Sequence, residues 1–124
     1  MPDVENERGS GIAVQISRSA EADLRGIYRR HLARRGSDGE TGADALLDRL
    51  VAAAESLDTF PERGPVPPEL DAIGIHDFRQ LSLPPYRLIY LPELQHMPPK
   101  VTVLLIADSR RDFRTLLEER LLRS

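Results

Sequence analysis

Apolar residues recur along the chain with two periods, and the switches between them lay out the elements. Ile12-Ala-Val-Gln-Ile16 alternates apolar and polar, which predicts a short strand. From Ala20 the period lengthens. Ala20, Leu24, Ile27, Tyr28 and Leu32 fall three and four apart and line one face of a helix. Ser17 and Ser19 are both suitable caps for it, and Gly36 supplies a stop. Ser37 and Asp38 open a second helix, with a stripe running Ala43, Leu46, Leu47, Leu50, Val51, Ala54 and Leu57. Phe60-Pro61 ends it, because the residue before a proline is biased out of the helical region. Two helices joined so briefly are expected to form an antiparallel hairpin.

Residues 61–74 are rich in proline and glycine and read as a loop. Three strand candidates follow, at 75–83, 86–92 and 100–107, with Pro84-Pro85 turning the first into the second. Lys100-Val-Thr-Val-Leu-Leu-Ile-Ala107 is nearly all apolar and rich in β-branched residues, as in a strand buried on both faces at mid-sheet. Short connections favour an antiparallel meander. Phe113, Leu116, Leu117, Leu121 and Leu122 return to helical spacing, predicting a last helix over 110–122. The predicted class is α+β in the order β-α-α-β-β-β-α, a helical hairpin packed on a small antiparallel sheet. Residues 1–11 are polar and acidic and read as a disordered tail. Residues 12–124 read as one domain.

Composition narrows the function. The chain has no cysteine, which removes disulfides, thiol nucleophiles and thiolate metal sites and suits the cytoplasm. No run approaches the ~18 apolar residues of a membrane span, and the polar N-terminus is no secretory signal. The net charge is −3, against indiscriminate adhesion to nucleic acid. The charge is uneven, however: residues 1–75 carry 9 basic and 14 acidic side chains, and residues 76–124 carry 8 and 6. A mildly basic C-terminal part suits a phosphate-bearing or acidic partner, and equally an ordinary solvated surface.

Several segments together resemble the RelE/ParE toxin family. Ser17-x-x-Ala20-x-x-Asp23-Leu24-x-x-Ile27 is similar to its first strand-to-helix passage, and Leu57-x-x-Phe60-Pro61-x-x-Gly64 to the exit from its second helix. Arg79-x-Leu81 resembles its second strand, and Pro85-Tyr86-Arg87-Leu88-Ile89-Tyr90 its third. Val103-Leu104-Leu105-Ile106 followed by Arg110-Arg111-Asp112 resembles the last strand and the basic turn beyond. The resemblance implies the toxin of a type II toxin–antitoxin pair, of the kind associated with plasmid stabilization. It also implies a cognate antitoxin that forms a hetero-oligomer with the toxin and neutralises it. ParE-like members inhibit DNA gyrase without cutting anything. RelE-like members are ribosome-dependent endoribonucleases that cut mRNA. A non-toxic module that only binds its partner is a further alternative.

Cleaving RNA without a metal needs a base, an acid and cations for the phosphate. Arg79, Arg87, Arg110 and Arg111 are the candidate cations, suited to bidentate phosphate binding but poor bases. The only lysine is Lys100, and His31, His76 and His96 do not follow the last strand. Asp108 is the remaining base candidate, or simply an ion-pair partner for the arginines. The sequence therefore fits a binding toxin better than a catalyst. Target-binding candidates are Arg79, Arg87, Tyr86, Tyr90, Arg110 and Arg111. The tyrosines recur every second residue and share one face, as core or rim aromatics also do. Arg110 and Arg111 are expected to open the last helix, where positive charge and a helix N-terminus would make an anion site. Phe113, Leu116, Leu117 and Leu121 form a stripe that either receives an antitoxin or closes the chain's own core. No ligand cluster for a metal and no cofactor-binding motif is present, so neither is expected.

Overall fold

The computed structural model describes residues 11–35 and 39–122. Strand β1 (Ala13–Ile16) runs directly into helix α1 (Arg18–Arg35), and Ser17 makes the junction. Its N–H donates to the Val103 carbonyl at 2.9 Å, completing the strand. Its hydroxyl accepts from the Ala20 N–H at 3.1 Å, capping the helix. Of the two serines, Ser17 is thus the cap. Helix α2 (Gly39–Glu55) continues into a 3₁₀ turn, Ser56–Asp58. Its direction is antiparallel to α1: the Tyr28 hydroxyl donates to Asp44 at 2.8 Å, while the later His31 lies against the earlier Gly42. The predicted tail up to residue 10, the stop at Gly36 and the helix opening at Ser37 and Asp38 lie outside the described residues.

The 61–74 loop holds a one-turn helix, α3 (Pro68–Asp71). Pro68 takes the first helical position, where a missing N–H costs nothing. Gly74, at φ +79°, reverses the chain so that the Ile75 N–H donates back to the Leu70 carbonyl at 3.0 Å. Strand β2 (Arg79–Leu83) begins later than the expected residue 75, because Ile75 and Phe78 pack against an apolar cluster instead of entering the ladder. Strands β3 (Tyr86–Glu93) and β4 (Lys100–Asp108) complete the sheet, in the order β1-β4-β3-β2.

The last three strands form the expected antiparallel meander, with Leu81 beside Leu88 and Leu88 beside Ile106. The first strand departs from the all-antiparallel expectation. It pairs parallel with β4, Val14 beside Val101, so the sheet is mixed. The hairpin, the loop after it, β2 and β3 all lie between them in the chain, so the connection is far longer than the minimum a parallel pair requires. Strand β4 thus lies between two neighbours, as its apolar run predicted.

A bulge in β4 decides which face its later side chains reach. Ile89 pairs with Leu105 but Tyr90 pairs with Val103, leaving Leu104 as an extra residue. One extra residue inverts the alternation. Val101 and Val103 face the helical hairpin, and after the bulge Ile106 does so, while Leu105 and Ala107 face away. By the same alternation Asp108, two residues after Ile106, is aimed toward the hairpin side.

Each face carries its own apolar cluster. The hairpin contributes Ala20, Leu24, Ile27, Leu46, Leu50 and Ala54, packed on Leu81, Leu88, Tyr90 and Val103. The opposite face joins Leu70, Ile89, Leu105 and Ala107 to Phe113 and Leu117 of helix α4 (Phe113–Leu117), which continues as a π-helical turn, Glu118–Leu122. Helix α4 starts at Phe113 and not at Arg110, because the Asp112 carboxylate caps it, accepting from the Thr115 N–H at 3.2 Å. The π turn is tied back to the sheet. Both terminal nitrogens of Arg120 donate to Asp23 at 3.0 Å, and one also donates to the Leu104 carbonyl at 2.8 Å. Asp23 in turn accepts from the Ile106 N–H at 2.9 Å. Where β1 stops, side chains thus satisfy backbone groups at the bulge.

Candidate functional site

At one end of the sheet, the last turns of α1, the middle of α2 and the chain after β4 converge on a groove. It consists of two adjoining cavities of about 480 and 340 Å³ that share Arg34, Tyr86, Asp108 and Arg110. The larger is completed by His31 and Arg49 over a floor that includes Leu46 and Pro85. The smaller adds Arg30 and Arg111. Five arginines therefore face one aspartate on a chain whose overall charge is −3.

Local structure explains the convergence. Arg30 and Arg34 are four apart on α1, one above the other on a shared face. Arg110 and Arg111 stand in the tight turn that precedes the Asp112 cap, where the Arg111 N–H donates to the Asp108 carbonyl at 3.0 Å. They do not occupy the first turn of α4, as the sequence suggested, so the helix dipole does not bear on them directly. The bulge brings Asp108 to the same side as the hairpin's cations. Arg110 grips Asp108 with Nε at 2.9 Å and a terminal nitrogen at 2.7 Å, and its backbone N–H adds a third bond at 2.9 Å. These donors hold the Asp108 carboxyl at a pKa of about 2, first through the guanidinium, then through the backbone N–H, with Arg34 adding to the effect. A carboxylate so stabilised is a feeble proton acceptor near neutrality. Asp108 is the ion-pair partner of Arg110. Arg30, Arg34, Arg49 and Arg111 have no carboxylate partner among the described residues.

The other candidate arginines are elsewhere. Arg79 and Arg87 lie on opposite faces of the sheet, since Arg79 is beside Tyr90 while Arg87 is beside Ser82. Arg79 donates to the Gly64 carbonyl at 3.1 Å. Arg87 is almost enclosed, its side chain 12% exposed. It forms a two-pronged bond to Glu69 at 2.9 and 2.8 Å, donates to Gln80, and lies 3.9 Å over the Phe113 ring. With these donors committed, Arg87 fastens α3, β2, β3 and α4 together and offers no fork to an outside phosphate. The same contact holds Glu69 below the usual carboxylate range, despite the opposing effect of burial.

Tyr90 is fully buried and Tyr86 nearly so, both in the hairpin-side cluster. The Tyr90 hydroxyl accepts from the Gly64 N–H at 3.1 Å, and burial pushes its pKa up. Tyr86 borders the groove as part of its floor rather than as an open stacking platform. Of the C-terminal stripe, Phe113 and Leu117 are buried in the second cluster. Leu116 and Leu121 are partly exposed beside it, and Leu122 is 42% exposed. No group of three or more metal-ligating side chains occurs among the described residues.

Sequence reasoning missed Arg30, Arg34 and Arg49 and set His31 aside, all from the more acidic part of the chain. The four-residue spacing of Arg30 and Arg34 was a usable signal. Arg49 carried none, because only the hairpin's packing sets it opposite them.

The fold and groove define a small α+β protein whose distinctive feature is an open basic cleft rather than an enclosed reaction chamber. The family model described as "ParE toxin of type II toxin-antitoxin system, parDE" matches residues 14–113, and the chain belongs to this family of toxins. Among solved structures, it is similar to a chain of a "Chromosomal ParDE TA system from P. aeruginosa". That match has a TM-score of 0.60 at 19% identity, covering 79% of this chain and 96% of the other, and it is a likeness of fold. No curated protein matches the chain by sequence. No helix among the described residues is long and apolar enough to cross a membrane.

Proposed function

We propose that the chain is the growth-arresting toxin of a type II pair and acts as ParE-like toxins do. It works in the cytoplasm by binding DNA gyrase, contributes to retention of the plasmid or locus that carries it, and is neutralised by a cognate antitoxin. The observation that carries binding over cutting is the state of Asp108, whose carboxylate is fixed by Arg110 and held near pKa 2. Target contact is assigned to Arg110 and Arg111, whose side chains reach solvent, with Tyr86 beneath them. Arg79, Arg87 and Tyr90 support the surface from within. Leu116, Leu121 and Leu122 are the part of the C-terminal stripe left for the antitoxin, while Phe113 and Leu117 hold the helix in place. A partner that orders on binding fits such a rim.

One observation favours a second reading, a ribosome-dependent endoribonuclease: His31 stands in the groove among the arginines and can exchange a proton. Inducible expression of the full chain alone in a bacterium, following DNA integrity and mRNA ends, separates the two. Growth arrest with DNA breaks and intact mRNA is expected. Arrest with mRNA cut at ribosomes would transfer the assignment to the nuclease reading, and undisturbed growth would remove the toxin assignment in that host.

A further inference from the structure

The groove's charge has a use that does not depend on which target the toxin arrests. Four of its five arginines are without a carboxylate partner among the described residues, and they come from both helices of the hairpin and from the turn after β4. Assembling unpaired like charges costs free energy unless an anion completes the set. Two features suit that anion to a polymer. The cations are spread across two adjoining cavities, where successive charges of a chain can be met in turn. The larger cavity is also partly apolar, with Leu46, Pro85 and Tyr86 among its lining residues. Apolar surface beside the cations suits phosphates joined to sugars and bases. Planar guanidinium groups pair with the two free oxygens of a phosphodiester. The fifth arginine cancels Asp108, the one fixed negative charge in the groove.

We propose that this groove is a phosphodiester-binding site that takes the backbone of a single nucleic-acid strand along its arginines. The assigned role is binding, and it requires no acid or base in the groove. With five arginines and one aspartate at this end, the rest of the chain carries a net negative charge.

The test uses the purified full chain and fluorescence anisotropy with labelled single-stranded DNA and RNA oligonucleotides of one sequence and a labelled poly-glutamate peptide. Wild-type protein is expected to bind at least one nucleic acid, with affinity falling as salt rises. Arg34→Ala and Arg49→Ala should each weaken binding several-fold and lower the salt slope by about 0.7, the change for one lost single-strand phosphate contact. The double variant Arg34→Glu/Arg49→Glu should bind at least ~10-fold more weakly, and Arg25→Glu/Arg29→Glu, on exposed positions of α1 outside the groove, should bind as wild type does. Matching thermal melts show that these variants stay folded. Preference for DNA or for RNA identifies the source of the phosphates, and either supports the site. Failure to bind both nucleic acids, equal loss in the Arg25/Arg29 variant, or tighter groove-dependent binding of poly-glutamate overturns it, the last pointing to an acidic protein segment instead.

Discussion

The two faces of the sheet are held by different chemistry. Facing the hairpin, Leu24, Leu46, Leu50 and Leu57 meet Leu81, Leu88 and Val103, and burial of apolar surface is the dominant force. On the opposite face and at the β4 edge, a smaller cluster is fastened by ionic clamps, Arg87 to Glu69 and Arg120 to Asp23. The contrast shows that arginine serves two purposes in this chain. Arg87 and Arg120 satisfy groups inside the fold, whereas Arg30, Arg34, Arg49 and Arg111 face a groove. Residue type alone does not separate the two sets; the partners do.

The largest effect is expected on the apolar face. Leu50→Ala should destabilise the protein by ~2–5 kcal/mol, because it empties a fully enclosed position. Leu47→Ala, at a half-buried position on the same helix, should cost clearly less. Urea melts giving equal losses would contradict the placement of these two leucines.

An intermediate effect is expected from the clamps. Arg87→Ala should cost about 1–3 kcal/mol, since it strands Glu69 and removes the cation from Phe113. The pair also has a pH signature. The folded-state pKa of Glu69 lies below the ordinary glutamate value, so its stabilisation is complete above that value and is lost as pH falls through the lowered one. The melting-temperature advantage of wild type over Glu69→Gln should therefore shrink as pH falls below the ordinary glutamate range. An advantage that stays constant, or grows on acidification, would show that the clamp does not depend on the Glu69 charge.

The smallest effect should come from the groove. Arg34→Ala and Arg111→Ala should leave thermal stability within about 0.5 kcal/mol of wild type, because neither side chain has an ionic partner among the described residues. A large loss at either position would mean that the groove arginines are clamps after all.

Periodicity made most of the fold legible. The stripes of the hairpin and the double-sided burial of β4 are repeated local patterns, and a pattern survives without knowledge of its neighbours. The parallel pairing of β1 was not legible, because nothing in Ile12–Ile16 says which strand it will lie beside. The bulge at Leu104 was hidden in a uniformly apolar run, yet it decides where Asp108 points. The short helix α3 had a signal, Pro68 at its start and Gly74 beyond its end, masked by a proline-rich context that reads as loop. At the candidate site, Asp108, Arg110 and Arg111 were found because they adjoin in sequence. The enclosed position of Arg87 was not legible, because its carboxylate partner, Glu69, comes from a distant segment.

The pairing of Val14 with Val101 also fixes an order of events during synthesis. The hairpin leaves the ribosome before the strands that will cover it, so Leu24, Leu46 and Leu50 wait in water for β3 and β4. Contacts between such distant parts of a chain form slowly. A product terminated before β2 is therefore an amphipathic hairpin with nothing to rest on, a client for chaperones and proteases rather than a shortened toxin.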